Sequence, residues 1–421
     1  MDYQKQVDVL VSYFKQAESK KVDHKIGLEF EHLILKKDLT ALGYFENQGI
    51  ESLLNQLSQN DNKWEKIYEK DHLIGLKGDK RAVTLEPGGQ LELSIIPLAD
   101  LKKIEALYLE FIQSLRKILN KRKQRIAVLG YQPKSSIKEI SLLPKKRYDL
   151  MYQYFKKTGK YAHHMMKGTA SIQMSIDYLN EGDYIKKMRV GYFLSPLIYY
   201  LFDNTPFFEG QTAAGSSTRE KIWSNCDSKR SGIIEGIFDK KFGYRDYAEY
   251  LLRTPPIIRK REGNLIYTGD KILKEVMTND NLEEIDHFLS MVFPDVRTKK
   301  YIEIRSADAL PYPYNFAYAA LLKALFYNQE NLNYFHQRSL KYNHQEFIEF
   351  KKEILKAAKS SKREGLINSV FKRAENTAVQ NELSYLKKLK KLYLDYGSLK
   401  FKSLDNLHRG KKQALNWCFA N

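Results

Sequence analysis

The sequence has 421 residues, 43% hydrophobic and 29% charged, so a sizeable core is expected and a disordered or fibrous chain is excluded. Only two cysteines occur, Cys226 and Cys418, which excludes a disulfide scaffold and a cysteine-based zinc cluster. The net charge of +19 fits contact with nucleic acid, membranes or small anions, but a solvated lysine-rich surface is the simpler explanation.

Hydrophobic periodicity predicts helices separated by scattered strands in the first part of the chain. Residues 1–22 have an amphipathic helical pattern, and residues 25–36 have a strand pattern. Two more helices are predicted at 49–59 and 99–124, and turn signals between 64 and 98 predict short strands there.

The remaining chain continues in the same way and becomes helical towards its end. The predicted elements are helices at 144–165, 181–204 and 244–252, strands at 168–178 and 299–306, and mostly helix from 315 onwards. Because the strands do not alternate regularly with helices, an α+β fold with an antiparallel sheet is expected.

The last part of the chain carries much of the positive charge. Residues 351–421 contain 17 Lys or Arg and 6 Asp or Glu, a net charge of +11. We therefore divide the chain into a main domain over 1–330 and a basic helical extension over 331–421, packed on that domain. The first residues lack a signal-peptide pattern, and no apolar stretch reaches the ~20 residues of a membrane span, so a cytoplasmic protein is expected.

Four predicted strands alternate apolar and polar residues: 27–31, 90–94, 171–177 and 301–305. Since residues i and i+2 share one face of a strand, each has a polar and an apolar face. The polar faces contain Glu29, Glu31, Gln90, Glu92, Ser94, Ser171, Gln173, Ser175, Asp177, Tyr301, Glu303 and Arg305.

Carboxylates are concentrated on or next to these faces, at Glu29, Glu31, Glu86, Glu92 and Glu303. A solvated face of an antiparallel sheet is one explanation. The other is a Mg²⁺–nucleotide site, because clustered carboxylates repel each other and hard oxygen ligands suit Mg²⁺. Pro87-Gly88-Gly89 between two of these carboxylates favours the second explanation, since a bare tight turn lets a ligand approach the backbone.

At these residues the sequence resembles the glutamate–cysteine ligase family of the plant and proteobacterial type. Residues 85–94 (LEPGGQLELS) look like its most specific motif, and residues 27–31 (GLEFE) like its N-terminal strand. Residues 293–297 and 301–308 look like its late metal-and-phosphate strand, and the segments 169–177 and 219–232 follow the family order. The likeness extends over about 25–320; the basic tail carries no motif that we can assign.

The resemblance implies a glutamine-synthetase-like ligase fold, a curved antiparallel sheet with flanking helices. It also implies that ATP phosphorylates the γ-carboxylate of glutamate and that cysteine attacks the γ-glutamyl phosphate to give γ-glutamylcysteine. ATP and Mg²⁺ are the implied cofactors, in a monomer or homodimer acting on small molecules and not on nucleic acid or membranes. Regulatory disulfides of the plant type are not expected with only two cysteines.

The same resemblance assigns roles to twelve residues. Glu29, Glu31, Glu86, Glu92 and Glu303 would hold Mg²⁺. Arg305 would stabilise the transferred phosphoryl group, and Arg219 or Arg230 would bind phosphate or a substrate carboxylate. Polar contacts to substrate or ATP are expected from Gln90, Thr169, Ser171 and Gln173.

Two alternatives remain open at the level of sequence. Residues 95–97 (IIP) replace a smaller Gly-Ala-Pro turn of the family, so a carboxylate–amine ligase with another acceptor amine fits as well. A nucleic-acid-binding protein that uses the basic C-terminal helices would explain the charge, but it gives no reason for five clustered glutamates.

Overall fold

The computed structural model describes residues 1–21, 23–60, 64–261, 263–356 and 358–420. Its α-helices are α1 (Tyr3–Gln16), α2 (Ile50–Asn60), α3 (Leu101–Lys121), α4 (Lys146–Phe155), α5 (Ala162–Gly168), α6 (Glu181–Leu201), α7 (Thr218–Ser224), α8 (Tyr244–Arg253), α9 (Leu273–Val276), α10 (Leu282–Leu289), α11 (Tyr314–Tyr327), α12 (Gln329–Ser339), α13 (His344–Ile354), α14 (Ser361–Thr377), α15 (Leu383–Tyr396), α16 (Leu399–Asp405) and α17 (Lys411–Ala414). Short 3₁₀ helices span Leu407–Arg409 and Asn416–Cys418.

The strands are β1 (Ile26–Leu35), β2 (Glu65–Glu69), β3 (His72–Lys77), β4 (Arg81–Leu85), β5 (Leu91–Leu98), β6 (Arg125–Ala127), β7 (Ser171–Ile176), β8 (Phe207–Phe208), β9 (Gln211–Thr212), β10 (Ser231–Gly232), β11 (Ile257–Arg261), β12 (Asn264–Gly269), β13 (Phe293–Pro294), β14 (Val296–Thr298) and β15 (Ile302–Asp308).

One large antiparallel sheet organises the fold and confirms the predicted α+β class. Its strand order is β14-β15-β7-β1-β5-β4-β3-β2, and β6 pairs with the end of β1. Every pair in this sheet is antiparallel. The strands that carry the polar ladders therefore lie side by side at the centre, although they are far apart in the sequence.

Register places the polar residues of these strands on one common face. Glu31 pairs with Glu92, and Glu29 lies between Ser94 on one neighbour and Gln173 on the other. On β15, Glu303 pairs with Ser175 of β7. Because side chains directly opposite each other point to the same side of a sheet, the carboxylates face one common space.

The opposite face of the sheet is apolar and is covered by two helices. The ring of Phe30 lies 4.6 Å from that of Tyr108 on α3 and 5.9 Å from that of Phe316 on α11. These side chains belong to one buried core cluster, which also contains Phe347 and Leu386 from the C-terminal helices. Burying this face fixes the register, since a slip by one residue would expose all of its apolar side chains.

Helices of the basic C-terminal region pack directly on this body. Helices α12 and α13 contact α6, whereas α14 and α15 contact α11. Phe419 also forms a β-bridge with Ala127 at the end of the main sheet. The domain boundary at residue 330 remains a prediction. In the described ranges, every helix is too short or too polar to cross a bilayer.

Several segments differ from the sequence predictions, and two of them have a clear physical reason. The predicted helix over 144–165 is two helices, α4 and α5, because the chain turns at Gly159, where a Cβ would lie 2.2 Å from the carbonyl oxygen of Asn225. The hairpin of β11 and β12 was not predicted. Strand β11 begins with two buried isoleucines and ends with three basic residues, and neither strand alternates apolar and polar residues, so hydrophobic periodicity gives no strand signal there.

Candidate functional site

A cavity of about 380 Å³ lies on the polar face of the main sheet. Its floor comes from the central strands, and its walls come from α4, α5 and α7. Charged side chains of both signs line it: Glu29, Glu31, Glu86, Glu92, Lys145, Arg147, Arg219, Arg297, Lys299 and Arg305. Basic side chains outnumber carboxylates in this lining. The cavity therefore fits an anionic ligand that binds together with a metal ion.

The cavity gathers ten of the twelve residues that the sequence predicted. They are Glu29, Glu31, Glu86, Gln90, Glu92, Thr169, Ser171, Gln173, Arg219 and Arg305. The two that do not line it are Glu303 and Arg230. Their roles in binding or catalysis remain predictions.

A continuous hydrogen-bonded chain crosses the floor of the cavity. Glu31 accepts hydrogen bonds from the backbone N–H of Ser171 at 2.7 Å and from Gln173 Nε2 at 3.1 Å. The amide oxygen of Gln173 accepts a hydrogen bond from Arg305, which also donates to Glu303 Oε2 at 2.6 Å. This chain links three adjacent strands, so Arg305 is held in place before any ligand arrives.

Glu303 lies beneath the cavity rather than in it. Its side chain is fully buried, and Oε2 lies 2.7 Å from Arg297 Nη2 and 2.6 Å from Arg305 Nη1. Burial alone would raise the pKa of Glu303, but Arg297, Lys299 and Arg305 outweigh burial and hold that pKa well below its usual range. In this geometry Glu303 neutralises two arginines through Oε2, and its predicted role as a metal ligand stays a prediction.

Three other carboxylates lack such compensation. Burial and the charges of Glu92 and Glu303 raise the pKa of Glu29 to about 8. Burial and the charges of Glu86 and Glu92 raise the pKa of Glu31 to about 8, and the pKa of Glu92 is raised for the same kind of reason. Carboxyl groups with raised pKa values in a cleft indicate a site where a bound cation would stabilise their charged forms.

The carboxylates fit a metal ion that is shared with substrate phosphates better than a metal site whose ligands all come from the protein. Among the described residues, no hydrogen bond or ion pair engages the carboxylate of Glu29. No group of three or more His, Cys, Asp or Glu in the described ranges is arranged to hold a metal ion. Mg²⁺ commonly takes one or two carboxylates, with water and substrate phosphates as its other ligands. Glu31 accepts hydrogen bonds on both of its oxygens, whereas Glu29, Glu86 and Glu92 each keep an oxygen without a hydrogen bond among the described residues and are the more available donors; the metal role of Glu31 stays a prediction.

These raised pKa values predict how stability depends on pH without divalent metal. A carboxyl group with a pKa of about 8 in the folded state and about 4.5 unfolded disfavours folding increasingly as pH rises through that range. We therefore expect Glu29→Gln to gain melting temperature over the parent protein as the pH rises from about 5 to 8 in EDTA. Thermal melts at four pH values measure the difference, and one that is constant with pH contradicts this electrostatic account.

The part of the cavity lined by Arg219 and Arg305 offers hydrogen-bond donors to an anion. Arg219 is 3% exposed, and its Nη1 has no hydrogen-bond partner in the described part of the chain. Its Nε donates to the carbonyl oxygen of Arg305 at 3.0 Å. The guanidinium groups of Arg219 and Arg305 lie 5.2 and 5.6 Å from the ring of Trp223. A buried donor that lacks a partner is costly, so an anionic oxygen is its natural acceptor.

Arg230 has a different environment. Its side chain is fully buried, with Nε donating to Asp227 at 2.7 Å and Nη1 to the carbonyl oxygens of Pro255 and Met291, each at 2.8 Å. Nη2 donates to the hydroxyl of Tyr154 at 3.0 Å. All its nitrogens have protein partners, so this geometry favours Arg219 over Arg230 as the ligand-facing arginine.

The Pro-Gly-Gly turn packs against protein, contrary to the reason given for it from sequence. A Cβ on Gly88 would lie 2.2 Å from the backbone oxygen of Lys167, at the end of α5. Two hydrogen bonds of the Gln90 side chain fix the same turn. Its Oε1 accepts from the N–H of Gly88 at 2.8 Å, and its Nε2 donates to the carbonyl oxygen of Thr169 at 2.8 Å. The bare backbone thus serves close packing of the turn on the cavity wall.

We expect Gly88→Ala to destabilise the protein by about 1–3 kcal/mol, the usual cost of overpacking against backbone that cannot move aside. Urea denaturation measures the change. Gly365→Ala is a matched control, because a Cβ there meets nothing within 4 Å. Equal stability of the two variants contradicts the packing role of Gly88.

Several cavity residues were not singled out from sequence. Lys145, Arg147 and Tyr148 enter from the start of α4, and Arg297 and Lys299 from β14 and the turn that follows it. Two lysines and an arginine at 145–147 are the only local signal for the first group. Apolar lining comes from Met151, Met165, Met166, Trp223 and Phe293, among others.

A family model described as "Glutamate-cysteine ligase family 2(GCS2)" matches residues 25–412. The chain is 32% identical over 332 residues to the chloroplastic glutamate–cysteine ligase of Nicotiana tabacum, covering 77% of this chain and 63% of the relative. The chloroplastic enzyme of Arabidopsis thaliana is 31% identical over the same length, with the same coverage. The match therefore spans somewhat less than two thirds of these relatives.

A solved structure supports the fold. The glutamate–cysteine ligase of Francisella tularensis in complex with AMP superposes with a TM-score of 0.58 at 12% identity, covering 95% of this chain and 88% of that chain. The family match continues through the basic C-terminal helices to residue 412, well beyond the region near 320 where the recognisable motifs end. The chain belongs to the glutamate–cysteine ligase family 2.

Proposed function

We propose that this protein is an ATP-dependent ligase that joins glutamate to cysteine through a γ-glutamyl phosphate. One observation carries the proposal: a single cavity combines carboxylates whose pKa values are raised with the buried Arg219, whose Nη1 has no hydrogen-bond partner among the described residues. The relatives named glutamate–cysteine ligase and the AMP complex of the Francisella enzyme support ATP, glutamate and cysteine as the substrates.

Phosphoryl transfer to a carboxylate needs alignment and charge neutralisation rather than a protein nucleophile. Glu29, Glu86 and Glu92 would hold Mg²⁺, which when bound neutralises phosphate charge. Arg219 and Arg305 donate to anionic oxygens of phosphate or substrate, and the ring of Trp223 lies within cation–π distance of both guanidinium groups.

The glutamate γ-carboxylate attacks the terminal phosphorus of ATP, and the bond to the ADP oxygen breaks. The amine then attacks the γ-carbonyl carbon, phosphate leaves, and the amine loses a proton. Arg305 has its orientation fixed by Gln173 and Glu303, so it need not reorganise when charge moves to the transferred phosphoryl group.

Cysteine is the acceptor that the site supports best. Met151, Met165 and Met166 give the cavity a soft apolar surface that suits a small thiol side chain. The unusual residues Ile95 and Ile96 lie within β5 and do not line the cavity, so they give no reason for a different amine. The alternative, another acceptor amine with the same chemistry, differs only in this second half-reaction.

ADP release with ATP, Mg²⁺ and glutamate, with and without cysteine, tests the proposal. We expect turnover only when both amino acids are present, and loss of turnover in EDTA. Release that needs glutamate but is not stimulated by cysteine would retain the metal site and replace the acceptor. No release with any amino acid would contradict the proposed activity.

A further inference from the structure

The helix that carries Arg219 and Trp223 is short and is held by residues from the C-terminal region. Helix α7 contains both cavity residues within seven positions. Such a short helix has little stability of its own. Its position, and therefore the direction of the Arg219 guanidinium group, depends on what packs against it.

One support comes from Lys351 on α13. Its Nζ lies 2.8 Å from Glu220 Oε1, and Glu220 is the neighbour of Arg219 on α7. The Lys351 side chain is only 11% exposed and lies 5.8 Å from the ring of Tyr199. Leu355, just after the same helix, accepts a hydrogen bond from the hydroxyl of Ser216. The end of α13 and the residue after it thus contact the segment around α7 at Glu220 and at Ser216.

The same region connects to the floor of the cavity. The hydroxyl of Tyr199 donates to Asp295 Oδ1 at 2.7 Å, and the carbonyl oxygen of Asp295 accepts from the N–H of Arg305 at 3.1 Å. The acidic groups Glu220 and Asp295 outweigh burial and raise the pKa of Lys351, so it stays charged. A buried charge of this kind is tolerated only when it is paired.

A second lysine fixes the beginning of the segment. Lys400 on α16 donates from Nζ to the carbonyl oxygen of Gly215 at 2.7 Å, and its backbone N–H donates to the carbonyl of Asp203 at 2.8 Å. Asp203 Oδ2 in turn accepts from the N–H of Ser217 at 2.7 Å. The segment 215–224 is therefore fixed by two buried lysines, both from the region that the sequence described only as a basic extension.

We propose that Lys351 is a positioning residue for Arg219: by pairing with Glu220 it holds α7 so that the guanidinium group stays in the cavity. The C-terminal helices are then part of the catalytic unit. The inference rests on the proposed function for its effect on turnover, but its structural part does not need that function.

The test compares Lys351→Met with Lys351→Arg and with Lys352→Met. Lys352 is the matched control, since it is the next residue on α13, is exposed, and forms no hydrogen bond or ion pair with α7 among the described residues. Two readouts are used: hydrogen exchange of residues 217–224, and kcat/KM for glutamate and ATP at a temperature where each variant is folded. Misplacing a catalytic group by 1 Å can cost about 100-fold in rate.

For Lys351→Met we expect faster exchange at 217–224 and a loss of roughly tenfold or more in kcat/KM. Lys351→Arg should recover most of both, and Lys352→Met should match the parent protein. Parent-like exchange and kcat/KM in Lys351→Met, with or without a lower melting temperature, would overturn the proposal.

If Lys351→Met does not fold, Glu220→Gln breaks the same ion pair from the other side and is judged by the same criteria. If the parent protein releases no ADP, the proposed function fails, and the exchange comparison alone decides whether Lys351 positions α7.

Discussion

Replacing Arg219 by methionine is expected to lower glutamate-dependent ADP release by about 10²–10³-fold, the usual cost of losing one preorganised donor to developing negative charge. The reason is that Arg219 lines the cavity and that its buried Nη1 has no hydrogen-bond partner in the described residues. Steady-state kinetics measure the loss, and circular dichroism checks that the variant is folded.

Arg230→Met provides the matched comparison, because both arginines are buried and both lie in the segment 219–232. Arg230 bonds only to protein groups, so its loss leaves Asp227 buried without its cation. We expect a destabilisation of about 3–5 kcal/mol and near-normal kcat in the fraction that folds. If Arg230→Met instead abolished turnover in a stable protein while Arg219→Met did not, the assignment would be reversed.

Two glutamates from the same predicted cluster should also respond differently. Glu303→Ala leaves Arg297 and Arg305 facing each other without their shared carboxylate, and we expect a loss of about 3–5 kcal/mol in the free energy of unfolding. Urea denaturation measures it. Activity should be lost as well, because Arg305 loses one of the two groups that orient it.

Glu29→Gln removes a carboxylate that has no hydrogen bond or ion pair in the described structure. Stability should be unchanged or higher at pH 8 without metal, whereas turnover should fall by about 100-fold if Glu29 holds Mg²⁺. Equal stability of Glu29→Gln and Glu303→Ala would contradict the distinction drawn between a cavity carboxylate and one beneath it.

Strand alternation was enough to predict which residues share the polar face. Glu29, Glu31, Glu92 and Gln173 follow from a period of two, which is a local property of the backbone. That these strands are neighbours followed only from the resemblance to a family, because the pairing of β1 with both β5 and β7 joins segments that lie far apart in sequence.

What could not be predicted depends on packing between distant segments. Arg219 and Arg230 look alike in sequence, and only the position of α7 against the sheet separates them. Glu303 is assigned beneath the cavity because β14 and β15 form a hairpin that brings Arg297 to its side. Lys145 and Arg147 enter the cavity from the start of α4. No local sequence pattern indicates where this helix lies over the sheet.

In the proposed reaction, glutamate is activated as an acyl phosphate before the amine attacks. Glutamate labelled with ¹⁸O in its γ-carboxylate tests this directly when the enzyme turns over with ATP, Mg²⁺ and cysteine. If the γ-carboxylate is phosphorylated, we expect one ¹⁸O in the released phosphate and a product with the mass of γ-glutamylcysteine. Phosphate without the label, or ADP release without a γ-glutamyl product, would contradict it.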